Sequence, residues 1–100
     1  MTLSDFKESL DAPLPPTWIS VYLEALWYDG KNDWQKAHSL VDHLEGKTAA
    51  WVHAYLHRKE GDKFNAGYWY NRAGKNVSIL SLDKEWEELV KQLLQLEFSK

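Results

Sequence analysis

Hydrophobic residues along this chain recur every three to four positions, the period of a helix, and almost nowhere alternate as a strand would. Between Thr17 and Tyr28 two apolar series run together: Trp18, Val21, Tyr22 and Ala25, and Ile19, Leu23, Leu26 and Trp27. A helix that is apolar on two faces is buried on two faces, so this segment is predicted to be central. Asp29-Gly30-Lys31-Asn32-Asp33 reads as a turn, with Asp33 as the cap of a third helix whose stripe is Trp34, Ala37, His38, Val41 and Leu44. Gly46 suits the left-handed residue that follows a helix. Thr48 is predicted to cap a helix reaching about Glu60, and Gly61-Asp62 turns the chain. Asn65 is predicted to cap the next helix, which Gly74 ends after Ala73.

The flanks complete the picture. Ser4 is predicted to cap a short helix to Leu10, which Pro13, Pro15 and Pro16 stop, because proline lacks an N–H and fixes φ. Residues 75–82 are less regular. Asp83 is predicted to open the last helix, with Glu85, Glu87 and Glu88 at its positive end and a stripe of Trp86, Leu89, Val90, Leu93 and Leu96 or Glu97. The expected fold is all-α: one domain over residues 1–100, built from hairpins at 17–45 and 48–74, with capping helices at 4–10 and 83–97. The last helix is expected to cover the open end of the second hairpin, or else to pack on a second copy, giving a monomer or a homodimer.

Composition narrows the function. Twelve lysines and arginines against fifteen acids leave a net charge of -3, and no basic run exists, which argues against nucleic acid and anionic membranes. The chain has no cysteine, so disulfides, thiolate metal sites and a cysteine nucleophile are excluded. The acidic, polar start is no signal peptide and no apolar run approaches membrane-spanning length, which points to the cytoplasm.

The turn glycines Gly30 and Gly61 are 31 residues apart, and in the second hairpin Ala54 precedes Gly61, which Ala66, Tyr70 and Ala73 follow. This pattern resembles the tetratricopeptide repeat. The resemblance implies small residues where two antiparallel helices approach closely, and a right-handed stack of hairpins that binds a peptide. The first hairpin departs from it: Gly30 to Ala37 is two residues longer than Gly61 to Ala66, and His53 and His57 stand where the repeat has aliphatic or aromatic residues. The run His53-Ala54-Tyr55-Leu56-His57-Arg58, with Glu60-Gly61-Asp62, Asn65-Ala66, Tyr68-Trp69-Tyr70 and Arg72-Ala73-Gly74, also resembles the signature of small uncharacterised bacterial proteins. That likeness implies a shared site without naming its chemistry.

Three groups of residues could carry chemistry. His53 and His57 lie four apart on one helix face, and His38 sits on the stripe of the preceding helix, so the three imidazoles can converge, with Glu60 or Asp62 adding a carboxylate. Such a set is a plausible shell for zinc or iron, or a metal-free pocket, or a group of core histidines tied to neighbouring carbonyls. His43 is expected to point outward. Arg58, Asp62 and Arg72, around one turn with Glu60 and Asn65, could clamp a carboxylate ligand or simply fix the hairpin through an Arg58–Asp62 pair. Tyr68-Trp69-Tyr70 span about 200° of a helix, so Tyr68 or Trp69 is expected to be exposed.

With no GxSxG elbow and no phosphate loop, the first expectation is a non-catalytic domain. It would bind a protein or peptide through the surface near His53, Arg58, Asp62, Trp69, Tyr70 and Arg72. The alternative is a small-molecule or metal site, which could be that of an enzyme, lined by His38, His53, His57, Arg58 and Tyr70. Burial geometry separates the two: three imidazoles within ligand distance around an empty cavity favour the second, and histidines packed singly against aliphatic groups exclude it.

Overall fold

The computed structural model describes residues 1–98, which fold into six helices and no strand. These are α1 (Leu3–Ser9), α2 (Val21–Gly30), α3 (Trp34–Val41), α4 (Lys47–Lys59), α5 (Lys63–Ala73) and α6 (Leu82–Phe98). The all-α expectation is met. Among the described residues, no helix is long and apolar enough to cross a membrane.

Several helices start elsewhere than their composition suggested, each for a capping reason. Thr2, not Ser4, caps α1, because Asp5 answers it: the Thr2 hydroxyl accepts from the Asp5 amide at 3.1 Å and the Asp5 carboxylate from the Thr2 amide at 3.0 Å. α2 begins at Val21 rather than Thr17. Ser20 caps it, and Glu97 of α6 holds that cap by accepting from both the Ser20 amide (3.2 Å) and its hydroxyl (2.5 Å). Trp18 is thereby left outside the helix, 60% exposed and edge-on to Phe98.

Asp33 caps α3 as expected. Gly46, with φ +102°, precedes α4 as its N-cap, so Thr48 lies inside the helix. Asp62 rather than Asn65 caps α5, one carboxylate oxygen accepting from the Asn65 amide at 3.1 Å and the other from its side-chain amide at 2.6 Å. Gly74 closes α5 in the left-handed region.

α2 packs on α3 and α4 on α5, the two expected hairpins. α6 lies against both α2 and α4, and α1 lies against α6, so the last helix also joins the two hairpins. The core holds Phe6, Leu23, Leu26, Trp27, Val41, Val52, Leu56, Leu89 and Val90, each essentially without exposure. Full burial of such a side chain stabilises by about 1.5–3 kcal/mol. Buried indoles find acceptors across helices: Trp27 donates to the Ser9 hydroxyl at 3.1 Å and Trp86 to the Leu26 carbonyl at 3.0 Å. α4 touches α2, α3, α5 and α6, and seven of its thirteen residues are buried.

Two carboxylates sit inside this core. Asp29 accepts from the Tyr55 hydroxyl at 2.7 Å and pairs with Lys59 at 2.8 Å. Glu85, 2% exposed, takes Arg58 at 2.8 Å, the Tyr70 hydroxyl at 2.5 Å and, more loosely, the Trp51 indole at 3.4 Å. Burial, reinforced by these carboxylates, pushes both tyrosine hydroxyls above their ordinary pKa. Arg58 also donates to the Leu80 carbonyl, which ties down the irregular segment before α6.

Removing one member of a buried ion pair strands the other, at a cost of about 3–5 kcal/mol. Glu85→Ala is therefore expected to lose about that much stability in urea unfolding at neutral pH. Tyr70→Phe, which keeps the Arg58–Glu85 pair, is expected to lose about 1–2 kcal/mol. A loss below about 1 kcal/mol for Glu85→Ala would remove the buried pair from the forces holding α4, α5 and α6 together.

Candidate metal centre

The helical periods that bury α3 and α4 also aim three imidazoles at one point. His38 lies one turn after Trp34 on the inner stripe of α3, and their rings stack with centroids 4.9 Å apart and planes 8° from parallel. The Trp34 indole crosses to α4 and donates to the Leu56 carbonyl at 2.7 Å, pinning the two helices together at this level. His53 and His57, four residues apart on α4, stack with centroids 4.9 Å apart. Trp69 of α5 covers His53, with centroids 4.1 Å apart and planes 17° from parallel.

The nitrogens meet within this aromatic box. His38 Nε2 and His53 Nε2 are 3.0 Å apart, a distance that admits one proton between them. One ring nitrogen from each of His38, His53 and His57 lies within 4.8 Å of those of the other two. His53 is only 4% exposed, yet its Nδ1 has no hydrogen-bond partner. An unpartnered buried nitrogen costs about 1–3 kcal/mol.

Carboxylates stand behind the rings. Glu60 lies 2.7 Å from His57 Nδ1, so a hydrogen on that nitrogen faces the carboxylate and Nε2 is the nitrogen turned away from it. Asp42 lies 4.0 Å from His38 Nδ1 and 3.2 Å from that of His43, which is itself exposed as expected. A carboxylate on the far nitrogen of an imidazole is the usual support of a metal-ligating histidine, since it fixes the tautomer and raises ligand basicity. Burial and the neighbouring imidazoles push His53 down to about 4, and burial and His57 lower His38. Both are neutral at pH 7, the state in which imidazole binds a metal.

The other candidates lie apart from this cluster. Arg58 pairs with Glu85 instead of Asp62, and Tyr70 gives its hydroxyl to the same carboxylate. Asp62 caps α5, although with Glu60 and His57 it also forms a second loose group of potential ligands. Among the described residues Arg72 reaches no carboxylate; it rests over the rings of Tyr68 and Trp69 and donates to the Tyr68 hydroxyl at 3.0 Å. Tyr68 is about half exposed. The stacking of Trp34 on His38 and the approach of Asp42 to it are the details that sequence reasoning left out. Their spacing from His38, four residues to either side, is the signal that was there to be read. Comparison of the chain with family models, curated proteins and solved structures returns no match.

The buried imidazoles make stability depend on pH. The folded pKa of His53 is lowered from 6.5 to about 4, so the unfolded chain binds more protons between those values. Its contribution is fully present above pH 6.5 and is lost as pH falls toward 4, by up to about 3 kcal/mol, and His38 adds in the same direction. The melting temperature is expected to fall from pH 7 to pH 4, and His53→Leu to flatten that fall. An equal fall in the variant would move the titration elsewhere.

Proposed function

We propose that this protein is a small helical metal-binding protein of the cytoplasm, with His38, His53 and His57 as its ligands. One observation carries the reading: three imidazoles from two helices each bring a ring nitrogen within 4.8 Å of those of the other two, beside a buried His53 whose Nδ1 has no hydrogen-bond partner. Histidines packed singly against aliphatic groups would have spoken against it, and these are not so packed. The donor set favours zinc over iron. Imidazole suits both, but non-haem iron sites bring a carboxylate directly onto the metal, whereas Glu60 here is engaged with the far side of His57.

The interaction reading keeps one support. Phe64, Tyr68 and Arg72 follow one another at i, i+4 and i+8 on α5, with Phe64 86% and Tyr68 49% exposed and Arg72 exposed beside them. Such an aromatic and cationic stripe suits a protein or peptide partner. It lies beside the histidine cluster and is compatible with it.

The test is the metal content of untagged protein by inductively coupled plasma mass spectrometry. Near-stoichiometric zinc is expected in the native protein, as purified or after incubation with zinc. It is expected to be lost in His38→Ala and His57→Ala variants whose helix content by circular dichroism is unchanged. No bound metal after incubation with excess zinc would overturn the metal reading and leave the α5 stripe as the functional surface.

A further inference from the structure

The geometry of the groups around the three imidazoles says how a bound ion would be finished. We propose, resting on the metal reading above, that the centre keeps one exchangeable coordination position open toward solvent, which takes a water or a small anion such as a carboxylate or inorganic oxyanion. On this proposal the centre is a Lewis-acid site of the kind that binds a substrate rather than a closed structural clamp.

Two independent features carry this. The first is that the carboxylates near the cluster already hold other groups, Glu60 through one of its two oxygens. Zinc in a closed structural site takes four protein donors. The chain contains no cysteine. Glu60 is held by His57 Nδ1 at 2.7 Å. Asp42 has one oxygen 3.2 Å from His43 Nδ1 and the other 4.0 Å from His38 Nδ1, so it faces the outer side of the ring. Asp62 spends both oxygens on Asn65 as the cap of α5. Turning Asp62 to the ion would give up the start of α5, and turning Glu60 would disturb its hydrogen bond to His57.

The second feature is that exposure around the cluster is lopsided. His53 is sealed beneath Trp69, and the His57 side chain is 12% exposed, but that of His38 is 26% exposed. The indoles of Trp34 and Trp69 lie over His38 and His53, and His38 remains the imidazole of the three most open to solvent. The charged groups facing the cluster are Asp42 with His43 at the end of α3, Glu60 and Asp62 at the turn after α4, and Arg72 of α5 over Trp69. A three-histidine site with a walled but open fourth side is the form that catalytic zinc takes, whereas structural zinc is enclosed.

Cobalt(II) replaces zinc and reports its own coordination in the visible spectrum. The full chain is loaded with cobalt and titrated with thiocyanate at constant pH, with metal content checked at each point. The expected result is a saturable change in the d–d bands while the cobalt stays bound, in the wild type and in Glu60→Gln alike. Glu60→Ala is expected to weaken cobalt binding by about 10–100-fold through loss of support to His57, while keeping the response to thiocyanate. Bound cobalt whose spectrum ignores thiocyanate in the wild type would overturn the open position alone. If Glu60→Gln then responded, Glu60 would be identified as the fourth ligand. Failure of cobalt and zinc to bind at all would overturn the metal reading and this inference together.

Discussion

A helix surrounded by four others must have its polar side chains answered from within the protein, and α4 is that helix. It carries His53, Tyr55, His57, Arg58 and Lys59 into a domain of 100 residues, where an unanswered polar group costs a sizeable part of a total stability of about 5–15 kcal/mol. Three of these neighbours and the turn that follows α4 supply the answers. α2 gives Asp29 to Tyr55 and Lys59, and α6 gives Glu85 to Arg58. α3 gives His38 to His53, and the turn after α4 gives Glu60 to His57. The positions of the other helices around α4 follow from these pairings as much as from the aliphatic core.

One answer among these is incomplete. Asp29 and Glu85 each meet a base and a tyrosine hydroxyl, so both buried carboxylates are satisfied. The three imidazoles have more nitrogens than partners, and His53 Nδ1 is left over inside the protein. A cluster serving stability alone would do better with aliphatic groups of the same volume. A cluster proposed to serve a metal gains from nitrogens that face one another and a carboxylate behind a ring, and here His38 and His53 meet through Nε2 while Glu60 stands behind His57. The seam between the hairpins thereby becomes the site: α3 and α4 are joined there by Trp34, by the His38–His53 contact and by the ion proposed to bind.

How much of this was legible in the sequence depended on the range of the interaction. Periodicity gave the helices, and Asp33, Gly61 and Gly74 marked turns or caps where they stand, because those signals are local. Ser20 was missed as the start of α2 because its hold comes partly from Glu97, 77 residues away. Asp62 displaced Asn65 because the aspartate is placed to accept both the amide and the side chain of the asparagine. The convergence of His38 with His53 and His57 could be anticipated, since two stripes that face each other bring their histidines together. The destination of Arg58 could not. Asp62 was its neighbour in sequence, but Glu85, 27 residues on, was the carboxylate buried beside it.

The most direct test of the claim that three imidazoles complete one another around a metal is X-ray absorption at the zinc edge of the loaded protein in solution. The account predicts a four-coordinate shell of light donors at about 2.0–2.1 Å, with outer-shell scattering that fits three imidazole rings and one further oxygen or nitrogen. A shell of oxygens with one imidazole or none would place the ion on surface carboxylates and contradict it.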